Sequence, residues 1–99
     1  MWEYGQMDEK ACRILVHGSV TGVGFRYSAM REAEYYPGLK GYVRNANSRT
    51  VECVIQGSEA DVKAMIRWLH LGPGTARVTD CKIVELPVDP DRPPFQIKF

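Results

Sequence analysis

Two segments with helical apolar spacing, 24–35 and 58–71, enclose two short alternating segments, LKGYVRN at 39–45 and TVECVIQ at 50–56. That order narrows the possible folds to very few. In the first helical segment Phe25, Ala29 and Ala33 recur every four residues beside Met30, Arg31, Glu32 and Glu34 are left for solvent, and Pro37 and Gly38 stop the run. In the second, Ser58 and Asp61 make a capping pattern, Val62, Met65, Ile66 and Leu69 fall at i, i+3, i+4 and i+7, and Gly72 and Pro73 end it. The pair between them, joined by the polar residues 46–49, reads as a hairpin. Upstream, Cys12, Ile14 and Val16 alternate with Ala11, Arg13, Leu15 and His17, which predicts a strand with one apolar and one mixed face. Downstream, RVTDCKIVEL at 77–86 reads as a strand, LPVDPDRPP as a turn-rich link, and FQIKF at 95–99 as a short C-terminal edge strand.

The expected class is therefore α+β: a ferredoxin-like βαββαβ two-layer sandwich, an antiparallel sheet with two helices on one face. A hairpin placed between two helix crossovers brings the first and third strands to the sheet centre. The loop after the first strand then meets the end of the second.

Ninety-nine residues at 44% hydrophobic content fit one core, so one domain is expected over 10–99 behind a flexible polar arm over 1–9, where only Trp2 and Tyr4 could dock. No apolar run approaches the ~20 residues of a membrane span, and MWEYGQMDEK lacks the pattern of a secretory signal. A soluble, cytoplasmic chain is expected. Cys12, Cys53 and Cys81 are too far apart for a C-x-x-C metal pair and read as free, buried thiols. The net charge of +1 argues against a general nucleic-acid or membrane binder, yet residues 13–49 alone carry +4. A small anionic ligand and a solvated basic face both fit that segment.

The basic segment contains GSVTGVGFR, residues 18–26, with three glycines, a terminal arginine and no acid. A loop passing from a strand into a helix N-terminus presents unpaired backbone N–H groups to an anion, and the helix dipole favours negative charge there. Gly18, Gly22 and Gly24 permit close backbone approach, and Arg26 offers a planar fork of donors suited to phosphate oxygens. The known nucleotide loops do not fit: G-x-x-x-x-G-K-[ST] fails at Val23 and Gly24, G-x-G-x-x-G fails at Tyr27, and C-x5-R fails at Val20. Ser19 and Thr21 have no base within the loop, and His17 reads as a strand surface residue. A reaction at this cradle would use water as nucleophile. Asn45, ending the second strand, is the candidate to orient it; a turn-starting Asn bonded to its own backbone is the competing reading.

GSVTGVGFR, followed by KGYVRN and TVE, resembles the acylphosphatases, whose usual form is G-x-V-Q-G-V-G-F-R, then G-[WY]-V-x-N, then D-G-T-V-E. The likeness continues through Gly57, Trp68 and Leu69, Gly72 and Pro73, and ARV at 76–78, and so spans about residues 12–99. The resemblance implies hydrolysis of the carboxyl-phosphate bond of small acyl phosphates, with inorganic phosphate as product and no metal or cofactor. It implies that Arg26 and the amides of Ser19, Val20, Thr21, Gly22 and Val23 bind the phosphoryl group, and that Asn45 places the water. A monomer with no nucleic-acid or membrane partner is expected. Three departures stand out: Thr21 replaces the usual Gln, Ser48 and Arg49 replace the Asp-Gly of the hairpin, and the first helix exit, YYPGL, is one residue longer.

Two other readings compete. RNA-recognition domains share this element order, and Lys40, Gly41 and Tyr42 begin like their K-G-[FY] motif, but Val43 and Arg44 stand where Gly or Ala and then Phe belong. A non-catalytic phosphate- or carbamoyl-phosphate-binding regulatory domain of the same fold is the alternative, as in the acylphosphatase-like segment of hydrogenase-maturation carbamoyltransferases. With no fused partner in the sequence, a free-standing enzyme is expected. Phe25, Tyr42, Trp68 and Phe95 read as core residues rather than ligand platforms.

Overall fold

A computed structural model describes residues 9–99, and the expected arm over 1–9, apart from Glu9, lies outside the described residues. The strands are β1 (Glu9–Ser19), β2 (Lys40–Asn47), β3 (Thr50–Ser58), β4 (Arg77–Leu86) and β5 (Gln96–Ile97); the helices are α1 (Phe25–Ala33) and α2 (Glu59–Leu71). Glu9 already pairs with Ser58, so β1 starts one residue earlier than the expected domain boundary. The sheet order is β4-β1-β3-β2-β5, with β1 and β3 inside as the two crossovers require. The helices cover one face, where Ile14, Val16, Val43, Val51, Cys53 and Ile55 meet Phe25, Ala29, Val62, Met65 and Leu69.

The first four strands pair antiparallel, but β5 runs parallel to β2 through Tyr42–Gln96 and Val43–Ile97, so the sheet is mixed. The direction follows from the path. β4 ends beside the start of β1, as the Ala11–Leu86 pair shows, and β2 starts at that same end of the sheet. A link along that end can only enter β5 in the direction of β2. Gln56, buried on the helix-free face, holds the link by accepting from the Asp89 N–H and donating to the Asp89 carbonyl. The alternation of FQIKF shortens to a two-residue strand, flanked by single backbone bonds from the Phe95 N–H to the Leu39 carbonyl and from the Lys98 N–H to the Val43 carbonyl.

The helix-free face also holds Tyr42, which is not a core residue. Alternation puts Val43 into the core and turns Tyr42 to the other side, where its hydroxyl donates to Glu52 and the Lys98 ammonium lies 4.1 Å from its ring centre. Cys12 and Cys53 are buried, Cys81 is half-buried, and all three are free thiols.

Glu52 is 4% exposed and is hydrogen-bonded by Arg13 and Arg44, which joins β1, β3 and β2 across that face. Burial pushes its carboxyl pKa up, and the two arginines more than reverse this, so the group titrates below its ordinary value. The stabilisation is therefore present above the unfolded carboxyl pKa of about 4.3 and is lost as pH falls through the lower folded value. Glu52→Gln is expected to cost about 1–2 kcal/mol at pH 7, since both arginines are partly solvated. Urea unfolding of both proteins should show the gap narrowing at pH 3; a gap independent of pH would refute the ionic account.

Candidate active site

The two helix starts differ in chemistry. At α2, Ser58 Oγ accepts from the Asp61 N–H at 3.2 Å, and Glu59 and Asp61 sit in the first turn. At α1, the N-cap is Gly24 with no side-chain cap, and the first turn holds no acid. The Ser28 N–H bonds the Gly24 carbonyl at 2.9 Å, so the amides of Phe25, Arg26 and Tyr27 precede the helical ladder. A bare helix N-terminus with a cation in its first turn suits an anion.

The loop between β1 and α1 is shaped by Gly22 and Gly24, with φ of 70° and 77°. These left-handed residues on either side of Val23 fold successive peptides into a concave nest. Val20 is 0% exposed and plugs the loop into the core, so its side chain anchors the backbone. Two hydroxyls tie the loop to its neighbours. Thr21 Oγ1 donates to the Ser48 carbonyl at 2.6 Å, and Thr75 Oγ1 donates to the Val23 carbonyl at 2.8 Å. Thr21, in place of the usual Gln, thus joins the loop to the β2–β3 hairpin, as does the bond from the Gly18 N–H to the Arg49 carbonyl at 3.0 Å.

A hollow of about 220 Å3 is lined by Val20, Gly22, Gly24, Phe25, Arg26, Tyr27 and Asn45. It brings together the two side chains singled out in the sequence, nineteen positions apart. Ser19, Thr21 and Val23 do not line it: Ser19 pairs with Arg77 in the sheet, Thr21 is turned to the hairpin, and Val23 packs against the core. A larger hollow of about 300 Å3, between Met30, Tyr36, Leu39 and Phe95, has Glu34 as its one charged residue and lacks the donors that an anion needs.

Asn45 shares a face with Gly41 and Val43, and this face points past the core toward the start of α1. No side-chain hydrogen bond among the described residues engages Asn45. The turn role falls instead to Asn47, whose Oδ1 accepts from the Arg49 N–H at 2.9 Å. A β-bulge between Asn45 and Asn47 lets the hairpin close without any non-glycine residue at positive φ, which compensates for the missing Asp-Gly.

Arg26 is half-buried, has no ion pair among the described residues, and its guanidinium carbon lies 5.1 Å from the centre of the Phe99 ring. Phe99 is 91% exposed, and the only sequence signal for it is that Phe95, Ile97 and Phe99 alternate onto one side. The stacking limits where the guanidinium can swing. His17 is outside the hollow, with Nδ1 2.9 Å from Thr50 Oγ1. Among the described residues no group of three or more His, Cys, Asp or Glu could hold a metal ion, and no helix is long and apolar enough to cross a membrane.

The family model for acylphosphatase matches residues 12–97. An acylphosphatase of Anaeromyxobacter dehalogenans is 40% identical over 92 residues, covering 93% of this chain and 98% of the relative. The solved structure of an acylphosphatase from Coxiella burnetii superposes with a TM-score of 0.85 at 30% identity, covering 96% of this chain and 98% of that one. The T. kodakarensis HypF structure matches at 35% identity and a TM-score of 0.77, covering 91% of this chain but 12% of HypF.

Proposed function

This chain belongs to the acylphosphatase family, and from that premise we propose that it hydrolyses small acyl phosphates to a carboxylate and inorganic phosphate. Arg26 and the loop amides hold the phosphoryl oxygens; of the stretch 19–23 expected for this, Val20 and Gly22 line the hollow, Gly24 joins them, and the uncapped start of α1 adds its dipole. Asn45 orients a water on the side opposite the leaving carboxylate. The water oxygen forms the new bond to phosphorus as the phosphorus–acyl oxygen bond breaks, and the water proton passes to solvent or to a phosphate oxygen. No general acid is required, because a carboxylate leaves without a proton. Phosphoryl transfer of this kind depends mainly on positioning and charge stabilisation. The observation that carries the reading is the shared hollow of Arg26 and Asn45 at a helix start without cap or acid.

We take the enzyme as a monomer, and as cytoplasmic in keeping with its three free thiols. The alternative, a non-catalytic phosphate- or carbamoyl-phosphate-binding regulatory domain of the same fold, draws on the match of this chain to a short part of the much longer HypF. Steady-state turnover of benzoyl phosphate separates the two. Competitive inhibition by inorganic phosphate and full activity in chelator are expected. Binding of acetyl or carbamoyl phosphate without turnover would favour the regulatory domain.

A further inference from the structure

We infer that Thr75, in the link between α2 and β4, is a positioning residue that sets the orientation of the Val23–Gly24 peptide; this rests on the cradle reading above. Its hydroxyl donates to the Val23 carbonyl at 2.8 Å from 52 residues away. The donor is held firmly: the Gly72 N–H bonds the Trp68 carbonyl at 2.7 Å, the Ala76 N–H bonds the Pro73 carbonyl at 2.9 Å, and Ala76 packs against the core. Trp68 and Phe25, the first residue of α1, lie 5.5 Å apart between ring centres, so the link and the helix start form one packed unit.

The peptide is trans and planar, so its carbonyl and N–H point in opposite directions. Holding the Val23 carbonyl toward Thr75 turns the Gly24 N–H the other way, toward the hollow that Gly24 lines. Without the latch this peptide can turn over at low cost, because glycine accepts either sign of φ. The turned form would present a carbonyl oxygen to the phosphate. Thr75 thus sets the fraction of molecules whose cradle is ready before phosphate arrives. Loss of that fraction weakens ground-state binding by the same factor for every phosphoryl ligand and leaves the bound complex unchanged.

The test compares Thr75→Val, which keeps the shape and removes the donor, with Thr75→Ser, which keeps the donor. Thr75 is exposed, and melting curves establish that both variants fold. For Thr75→Val, KM for benzoyl phosphate and the inhibition constant of inorganic phosphate are both expected to rise about five- to tenfold, with kcat unchanged. Thr75→Ser should match the parent. The inference is overturned if Thr75→Val leaves both constants unchanged, lowers kcat alone, or is mirrored by Thr75→Ser. Arg26→Gln is the control for the cradle itself. If it loses phosphate binding while Thr75→Val retains it, the latch alone is refuted. If Arg26→Gln binds phosphate like the parent, the cradle reading falls and the latch falls with it.

Discussion

Arg26→Gln is expected to give a folded protein whose turnover of benzoyl phosphate drops by about 10²–10³, the usual cost of removing one well-placed donor to developing charge. Folding should survive because Arg26 has no ion pair among the described residues and contacts the exposed Phe99 ring rather than the core. Gln keeps much of the stem and some hydrogen bonding but neither charge nor fork. Arg26→Lys restores the charge alone, and an ammonium cannot match two phosphate oxygens in one plane, so it should not rescue. Because the guanidinium binds the phosphoryl group before and during transfer, inhibition by inorganic phosphate should weaken together with the rate. Full activity in a folded Arg26→Gln protein would remove the assignment of this residue.

The elements that position the cradle are readable from local pattern. Cys12, Ile14 and Val16 announce the buried face of β1, and Val62, Met65 and Leu69 announce that of α2, because burial imposes periods of two and 3.6. Arg26 and Asn45 are also legible, since their type and their place at element ends suit the chemistry. The contacts that hold them are not legible. Thr75 reaches Val23 over 52 residues, and nothing in GPGTA marks that hydroxyl as a donor to the loop. Phe99 meets Arg26 only because β5 runs alongside β2, a direction set by where the link crosses the sheet. Tyr42 reads as core in the sequence but lies on the outer face for a related reason: an aromatic ring fits a core or a covered outer face equally well, and Glu52 and Lys98 provide the cover. The hairpin lacks its usual glycine, and the compensation by Asn47 and a bulge is a backbone event that residue types alone do not specify.

Asn45→Ala is expected to separate binding from chemistry in a way that Arg26→Gln cannot. Asn45 sits at the mouth with its amide free of other side-chain partners among the described residues, so truncation leaves no buried group unpaired and folding should be intact. The neutral amide contributes little to holding a doubly charged phosphate beside Arg26 and the helix start, so the inhibition constant of inorganic phosphate should change by less than about threefold. The attacking water loses both its acceptor and its donor, and with them the alignment that makes the step effectively unimolecular. A loss of kcat of about 10² or more is expected. Asn45→Asp offers a second check. It keeps the shape and an acceptor but sets a negative charge beside the phosphate, so it should weaken phosphate binding as well as turnover. A folded Asn45→Ala enzyme with parental kcat would show that water is placed by another group, and parental phosphate binding in Asn45→Asp would put the phosphoryl group elsewhere than in this hollow.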